Sequence, residues 1–166
     1  MAQVTFKGTP VETVGELPEV GQKAPDFVLT KRDWGDVGLS DFQGKKRVLN
    51  IAPSLDTSVC AATAKRFEQE VEKLRDTVVL TVSNDLPYAQ DRFCKNENIQ
   101  NVITLSQVRN RDFGRDYGIA MKTGPRAGLL ARAVVIVDEN DTVTYTQLVP
   151  EIGQEPDYDD VLKHVS

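Results

Sequence analysis

The sequence contains few of the residues that bind metals or build disulfide frameworks. Its 166 residues include only two cysteines and a single histidine. A disulfide-stapled fold uses more cysteines than this, and a zinc site uses about four ligands, so we expect neither. A pair of thiols in a chain of this size is more often catalytic, redox-sensing or merely buried.

The signatures of several other function classes are also absent. No stretch approaches the roughly 18 apolar residues of a membrane-spanning helix. There is no phosphate-binding loop and no Gly-x-Gly-x-x-Gly motif, so we expect no nucleotide, flavin or other cofactor. The formal net charge of −5 disfavours nucleic acid or an anionic membrane as a partner. The first residues lack a basic region followed by an apolar one, so we expect no secretory signal and a cytoplasmic location.

Strand-like and helix-like segments alternate along most of the chain. Between Ser58 and Arg75 the apolar side chains recur every three or four residues, which is the spacing of one helical face. Thr77–Val82 has the β-branched content of a buried strand. The other predicted strands are Val4–Phe6, Val11–Val14, Phe27–Leu29, Arg47–Ala52, Val102–Leu105, Ala131–Val137 and Thr142–Leu148. The other predicted helices are Leu86–Asn96, which starts near Asp85 as its N-cap residue, Asp112–Tyr117 and Tyr158–Val165.

This order of elements predicts an α/β fold. A chain of this length fits one compact domain, which we assign to residues 1–166. Strands that alternate with helices predict a central sheet covered by helices. The series ends in a hairpin of Ala131–Val137 with Thr142–Leu148, rather than in another crossover. The pattern therefore predicts a thioredoxin-like sandwich with a mixed central sheet, extended at its N-terminus by a β-hairpin.

The loop after the strand Arg47–Ala52 carries the first candidate for chemistry. The strand stops at Pro53 and a helix starts near Thr57 or Ser58, so Cys60 falls in the first helical turn. The unpaired N–H groups and the positive end of the helix dipole favour negative charge at this place. A thiol at a helix N-terminus has its pKa lowered, and the thiolate is the reactive nucleophile. The Thr57 hydroxyl, three residues upstream, can point at the same place.

Each of these residues also has a purely structural interpretation. Cys60 lies on the apolar face of its helix, where a cysteine is usually a small buried hydrophobic residue. Thr57 or Ser58 can serve only as a helix cap, and Pro53 only as a strand terminator. The combination of strand end, proline, capping hydroxyl and first-turn cysteine is what favours a reactive thiol.

Four motifs give the chain a resemblance to a known family. The pattern Pro53-x-x-x-Thr57-x-x-Cys60 resembles the active-site pattern of the peroxiredoxins. The longer run Pro53–Ala61 resembles one branch of that family, the bacterial thiol peroxidases, which are atypical two-cysteine peroxiredoxins. The resemblance continues, in order and spacing, over nearly the whole chain, in the runs Gly21–Phe27, Ser83–Gln90 and Gly128–Ala133.

The resemblance implies a peroxidase reaction in which Cys60 attacks the peroxide. Such a displacement develops charge on the departing oxygen, so a site must stabilise the thiolate and then that oxygen. In the family a threonine, an arginine on a distant strand and backbone N–H groups do this, and by motif the two side chains are Thr57 and Arg132. The always charged guanidinium suits the task, although an isolated arginine at a strand end would be interpreted as a surface charge. By the same resemblance, Pro53 shields the oxidised cysteine from solvent.

Cys94 is the only other thiol, and the resemblance implies that it is the resolving cysteine within the same subunit. A sulfenic acid on Cys60 condenses with a second thiol to give a disulfide. We interpret Leu86, Ala89 and Phe93 as the apolar stripe of the predicted helix, so Cys94 falls at its edge, partly exposed and mobile. Family members hold the two thiols apart when reduced, so we expect the first turn around Cys60 and part of the second helix to unwind during turnover. An incidental thiol is the alternative interpretation of Cys94.

The resemblance further implies substrates and partners. The protein would reduce hydrogen peroxide and organic hydroperoxides, be recycled by a thioredoxin-type reductant and form a homodimer. The residues alone leave two other functions open. A thiol–disulfide oxidoreductase of the thioredoxin kind would use a Cys-x-x-Cys motif, which the sequence lacks. A non-catalytic redox sensor or binding module of the same fold would share both thiols, but a sensor would be oxidised once and stop, whereas an enzyme turns over.

Overall fold

A seven-stranded mixed sheet forms the centre of the fold. The computed structural model describes residues 1–165, with nine strands and four α-helices in that part of the chain. The strands are β1 Gln3–Phe6, β2 Thr9–Glu12, β3 Leu29–Thr30, β4 Asp36–Val37, β5 Lys46–Ile51, β6 Thr77–Ser83, β7 Ile103–Ser106, β8 Ala133–Val137 and β9 Val143–Leu148. The helices are α1 Ser58–Val71, α2 Pro87–Asn96, α3 Asp112–Asp116 and α4 Tyr158–Val165, and a short 3-10 helix spans Leu39–Phe42.

The order of strands across the sheet is β4-β3-β7-β6-β5-β8-β9, and β1 and β2 form a separate antiparallel hairpin. The central strands β7, β6 and β5 run parallel and are connected through α1 and α2. β8 pairs antiparallel with β5, so that Ala133 lies opposite Ile51. The end of β5 and the beginning of β8 therefore lie side by side. The predicted α/β fold, with its mixed sheet and N-terminal hairpin, is confirmed.

Side chains of the central strands alternate between two cores, as the period of a β-strand requires. On β8, Val134 and Ile136 belong to the core that α1, α2 and α4 cover. Val135 and Val137 belong to the opposite core, which α3 and the N-terminal hairpin cover. Each apolar side chain of this size stabilises the fold by roughly 1.5–3 kcal/mol when fully buried. Both faces of the sheet are thus filled, which leaves the strand ends as the places open to chemistry.

Several boundaries differ from the predicted ones. α1 ends at Val71 rather than at Arg75, because the chain then turns and Asp76 takes a φ of 48°, in the left-handed region, before β6 begins. The predicted strand Phe27–Leu29 shares only Leu29 with the observed β3, which is short because it pairs only briefly with β4 and β7. β4 and the 3-10 helix were not predicted, because they are too short to produce a periodic pattern.

No helix within residues 1–165 combines the length and the apolar character needed to cross a membrane. In the same part of the chain, no three His, Cys, Asp or Glu side chains are grouped so that they could hold a metal ion.

Candidate active site

Cys60 lies just after the junction between β5 and α1. Residues 52–57, which we call the Cys60 loop, connect the two elements, and Pro53 is buried within it. Thr57 is the N-cap residue of α1, and its hydroxyl accepts a hydrogen bond from the Cys60 N–H at 3.2 Å. Cys60 therefore occupies the first turn of α1, where the helix dipole and the N–H groups favour negative charge.

Arg132 is the side chain that contacts the Cys60 sulfur. Its Nη2 donates to Cys60 Sγ at 3.1 Å, and its Nε donates to the carbonyl of Ile152 at 2.9 Å. Only 1% of Cys60 and 2% of Arg132 are exposed. The buried Nη1 has no hydrogen-bond partner among the described residues. A guanidinium this close to the sulfur and away from water stabilises negative charge there, since attraction between charges is stronger where solvent is excluded.

The sheet brings Arg132 to Cys60 although the two lie 72 residues apart in sequence. Arg132 directly precedes β8, and the first residue of β8 is the register partner of Ile51, the last residue of β5. Antiparallel pairing thus puts the residue before β8 beside the loop after β5. The sequence pattern predicts Arg132 at the beginning of its strand, but only the pairing of β5 with β8 explains why its side chain reaches Cys60.

Thr57 contacts the backbone of Cys60 rather than its sulfur. While it accepts from the Cys60 N–H, its hydroxyl donates to the carbonyl of Ser54 at 3.2 Å. Both bonds fix the hydroxyl at the start of α1, and a cap of this kind typically stabilises a helix by about 1 kcal/mol. The structural interpretation of Thr57 as a cap therefore describes its contacts here, and a contact with substrate stays a prediction.

Asp85 connects the Cys60 loop to the end of β6. Its Oδ1 accepts from Ser54 Oγ at 2.6 Å. Its Oδ2 accepts from the Leu55 N–H at 2.7 Å and from Ser83 Oγ at 2.9 Å. The prediction of Asp85 as the N-cap residue of the second helix is wrong, because the N-cap residue is Leu86 and a proline without an N–H follows it. The carboxylate of Asp85 is thereby available to the Cys60 loop.

Cys94 lies in the core rather than at an exposed edge of its helix. Only 1% of it is exposed, and it packs in the same cluster as Phe67 of α1. Its Sγ lies 3.9 Å from Thr104 Oγ1. Burial raises the pKa of the Cys94 thiol above its ordinary value. The prediction of a partly exposed thiol is wrong.

α2 buries a different face from the one that its apolar residues predict. Gln90 lies in the middle of that face, and its Nε2 donates to the carbonyl of Leu105 at 2.9 Å and to Ser83 Oγ at 3.1 Å. A polar side chain that is buried with its NH2 group hydrogen-bonded does not stand out in an apolar pattern. The buried residues of α2 are Pro87, Gln90 and Cys94, whereas Leu86 and Ala89 are exposed and Phe93 is half-buried.

A cavity of about 500 Å³ lies between the Cys60 loop and α2. Leu55 and Thr57 line it on one side, and Ala89 and Phe93 line it on the other. Two of the three residues predicted to form the apolar stripe, Ala89 and Phe93, thus border open space in front of the Cys60 loop. The cavity thus leaves unfilled space between the Cys60 loop and the outer face of α2, whereas Cys94 itself is packed on the inner face.

Two other basic residues of the loop before Arg132 make different contacts. The Arg126 guanidinium lies 3.8 Å from the centroid of the Phe6 ring, and Lys122 Nζ lies 3.6 Å from the sulfur of Met1. Arg132 is thus the member of this basic segment that contacts the thiol. Arg126 can therefore serve as a control for substitutions of Arg132, since it is an arginine of the same segment whose guanidinium lies over Phe6.

We expect Cys94 to make the reduced protein less stable as the pH rises above about 9. Burial holds its pKa in the folded state above its ordinary value of 9.0. The unfolded chain therefore loses the Cys94 proton at a lower pH than the folded chain. This contribution to the free energy of unfolding is complete below that pH and is lost as the pH rises through the folded-state value.

Urea denaturation between pH 8 and 10, with the thiols kept reduced, tests this expectation. The free energy of unfolding should fall more steeply with pH for the wild type than for Cys94→Ala, which retains Cys60. The range ends near pH 10 because tyrosines of the unfolded chain ionise from about there. Equal slopes for the two proteins would show that burial of Cys94 has no such effect.

The chain is similar over nearly its whole length to proteins of known family. Residues 19–162 match the family model described as Redoxin. A thiol peroxidase from Corynebacterium glutamicum is 49% identical to the chain over 162 residues, which cover 98% of each protein. A solved peroxiredoxin-like protein from Aquifex aeolicus has a TM-score of 0.94 and 41% identity, with 99% of this chain and 96% of that one covered. The structure of a thiol peroxidase from Chromobacterium violaceum has a TM-score of 0.90 at 20% identity, covers 97% of this chain and 93% of its own, and shares the fold.

Proposed function

The chain belongs to the Redoxin family and is a thiol-dependent peroxidase, and we propose that Cys60 is the residue that attacks the peroxide. The resemblance to the thiol peroxidases is confirmed by the relative that is 49% identical over the whole chain. The observation that carries the assignment of Cys60 is the 3.1 Å contact between its buried sulfur and Arg132. A thiol held beside a guanidinium in the first turn of a helix is suited to react as the thiolate.

In the first step the Cys60 thiolate attacks one oxygen of hydrogen peroxide or of an organic hydroperoxide. A bond forms between sulfur and that oxygen while the O–O bond breaks. Cys60 is oxidised to the sulfenic acid, and the peroxide is reduced to water or an alcohol once the departing oxygen has taken up a proton. Nη1 of Arg132, which has no partner within residues 1–165, is available to donate to the departing oxygen. Thr57 keeps the first turn of α1 in place, and Pro53, buried in the Cys60 loop, shields the sulfenic acid from solvent.

In the second step Cys94 resolves the sulfenic acid within the same subunit. Its sulfur attacks the sulfur of Cys60, so that the S–S bond forms and the S–O bond breaks. The hydroxide that leaves takes up the thiol proton of Cys94 and becomes water. A thioredoxin-type dithiol then reduces the disulfide, returns both cysteines to thiols and is itself oxidised to a disulfide.

The second step requires both segments to unwind locally. Cys60 and Cys94 are free thiols, and each is buried in its own helix. A disulfide needs Cα atoms within about 7 Å and side chains directed at each other. Cys94 must leave its contacts with the core cluster, and the cavity between the Cys60 loop and α2 provides space for the approach.

A titration with hydrogen peroxide, followed by mass spectrometry of the intact and digested protein, tests this function. One equivalent should convert the wild type to a Cys60–Cys94 disulfide within one chain. Cys94→Ser should consume one equivalent and stop with Cys60 as a sulfenic acid, which higher peroxide oxidises further. Amide exchange should rise in the first turn of α1 and in α2 when the disulfide forms. A wild type that turns over without this disulfide would contradict the role of Cys94.

Turnover distinguishes the enzyme from a redox sensor and from a thioredoxin-like oxidoreductase. With a thioredoxin system in excess, an enzyme consumes many equivalents of peroxide, whereas a sensor consumes one.

We also propose a homodimer and a cytoplasmic location, as expected from the resemblance and from the sequence. Finally, we infer that residues 1–166 act as one domain, because Thr5 of the hairpin pairs with the segment after β9 through hydrogen bonds to Pro150 and Ile152.

A further inference from the structure

We propose that Asp85 is a positioning residue that restrains disulfide closure, an inference that rests on the proposed function. Asp85 belongs to neither helix, but it lies between the two segments that have to move. Its side chain bonds the Cys60 loop, and its backbone leads into α2 two residues further along the chain. A single carboxylate therefore fastens the loop before Cys60 to the beginning of the helix that carries Cys94.

The contacts of Asp85 continue into each segment. In the Cys60 loop, Ser54 donates its hydroxyl to Asp85 and accepts from the Asp56 N–H at 3.0 Å. The carbonyl of Ser54 accepts from Thr57, the N-cap residue of α1. The carboxylate thus holds the residue that orients the cap at Cys60.

On the other side, Asp85 is connected to the buried face of α2. Ser83 donates its hydroxyl to Asp85 Oδ2 and accepts from Gln90 Nε2 at 3.1 Å. Gln90 lies one helical turn before Cys94 on the same buried face. Asp85 therefore joins a continuous set of hydrogen bonds that runs from the cap of α1 to the inward face of α2.

This set of hydrogen bonds opposes closure of the disulfide. Any change in the relative position of the Cys60 loop and the start of α2 strains the bonds from Asp85 to Ser54 and to the Leu55 N–H. Hydrogen bonds to a carboxylate are roughly twice as strong as those between neutral groups. Asp85 therefore keeps the thiols apart while Cys60 awaits peroxide, and its release contributes to the barrier of the second step.

The protein contains an optical probe for this motion. Trp34 is its only tryptophan, and its ring centroid lies 5.1 Å from that of Tyr88. Tyr88 is the second residue of α2. Movement of the beginning of α2 during closure should therefore change the fluorescence of Trp34.

The test compares Asp85→Asn with Ser106→Ala in rapid mixing with excess hydrogen peroxide. Ser106 donates its hydroxyl to the backbone carbonyl of Asp85, and within the described residues its side chain has no hydrogen bond to the Cys60 loop. Its variant therefore controls for a disturbance near Asp85 that leaves the bonds to the loop in place. Trp34 fluorescence gives the rate of closure, and acid quenching with mass spectrometry gives the amounts of disulfide and of Cys60 sulfinic acid. The rate of closure does not depend on the peroxide concentration, whereas the rate of the first step does, so the two steps can be told apart.

We expect closure in Asp85→Asn to be faster than in the wild type by about threefold or more, because a neutral amide holds the loop less firmly. Less sulfinic acid should then accumulate at high peroxide, and Ser106→Ala should resemble the wild type. Closure in Asp85→Asn that equals or is slower than that of the wild type would overturn the inference. If Asp85→Asn does not fold, Ser54→Ala takes its place, because it removes the bond from the Ser54 hydroxyl to Asp85. Faster closure in Ser54→Ala would then support the inference, and equal or slower closure would overturn it. A wild type that forms no Cys60–Cys94 disulfide would instead refute the proposed function.

Discussion

Cys60→Ser should reduce peroxide consumption to the background rate of the assay mixture. The serine hydroxyl stays protonated at neutral pH and is a poor nucleophile towards peroxide oxygen, so the first step has no attacking group. Consumption is measured with a thioredoxin system that supplies electrons in excess. Since the substitution changes one atom in the first turn of α1 and keeps the cap at Thr57, the thermal unfolding of the variant should stay close to that of the wild type.

Cys94→Ser is the matched control, because it removes the other thiol by the same change. It should still consume one equivalent in a rapid burst, which shows that loss of a buried thiol does not by itself prevent the first step. Turnover by Cys60→Ser at the rate of the wild type would refute the mechanism, since Cys94 would then be the attacking thiol or the chemistry would lie elsewhere.

Arg132→Met should slow the first step by about 100- to 1,000-fold, the loss seen when one donor to a developing oxyanion is removed. Methionine fills part of the space but supplies neither the charge at the Cys60 sulfur nor the donors for the departing oxygen. Arg132→Lys keeps the charge but cannot donate to Cys60 and to the carbonyl of Ile152 at the same time in the geometry of a guanidinium. Its rate constant for the first step should therefore lie between those of the wild type and Arg132→Met. The rate constant of sulfenic acid formation is best measured in the Cys94→Ser background, where no second step follows.

Arg126→Met is the control for Arg132→Met. It removes a guanidinium from the same basic segment, but one that lies over the Phe6 ring rather than beside Cys60. It should react with peroxide at the rate of the wild type. A first step in Arg132→Met that stays within a factor of two of that control would show that Arg132 does not assist the thiolate.

Local sequence features predicted the parts of the site that local structure determines. The end of β5, the buried Pro53, the cap at Thr57 and the first-turn position of Cys60 all lie within one short segment, where spacing and capping chemistry suffice. The sheet class followed from the alternation of elements in the same way. These parts of the fold and of the site required no knowledge of which strands are neighbours.

The features that sequence analysis missed depend on contacts between distant segments. Cys94 lies on the buried face of α2 together with Gln90, whose Nε2 donates to β6 and β7 and so turns a polar side chain of α2 inward. Asp85 has the residue type of a helix cap, and only the position of the Cys60 loop shows which N–H groups it accepts from. Arg132 was identified by its motif, yet its contact with Cys60 follows from strand pairing that no periodicity encodes.

The late position of β8 in the chain also determines when the protein becomes reactive during its synthesis. Both cysteines leave the ribosome before Arg132, and Arg132 reaches Cys60 only after β8 has inserted beside β5 and Ile152 is available to its Nε. Since a domain generally folds as a unit, a nascent polypeptide carries an unassisted thiol until the segment from β8 to Ile152 is available. Cys60 thus acquires its guanidinium contact only after the segment from β8 to Ile152 has been synthesised, and translation products truncated before Arg132 carry two thiols without it.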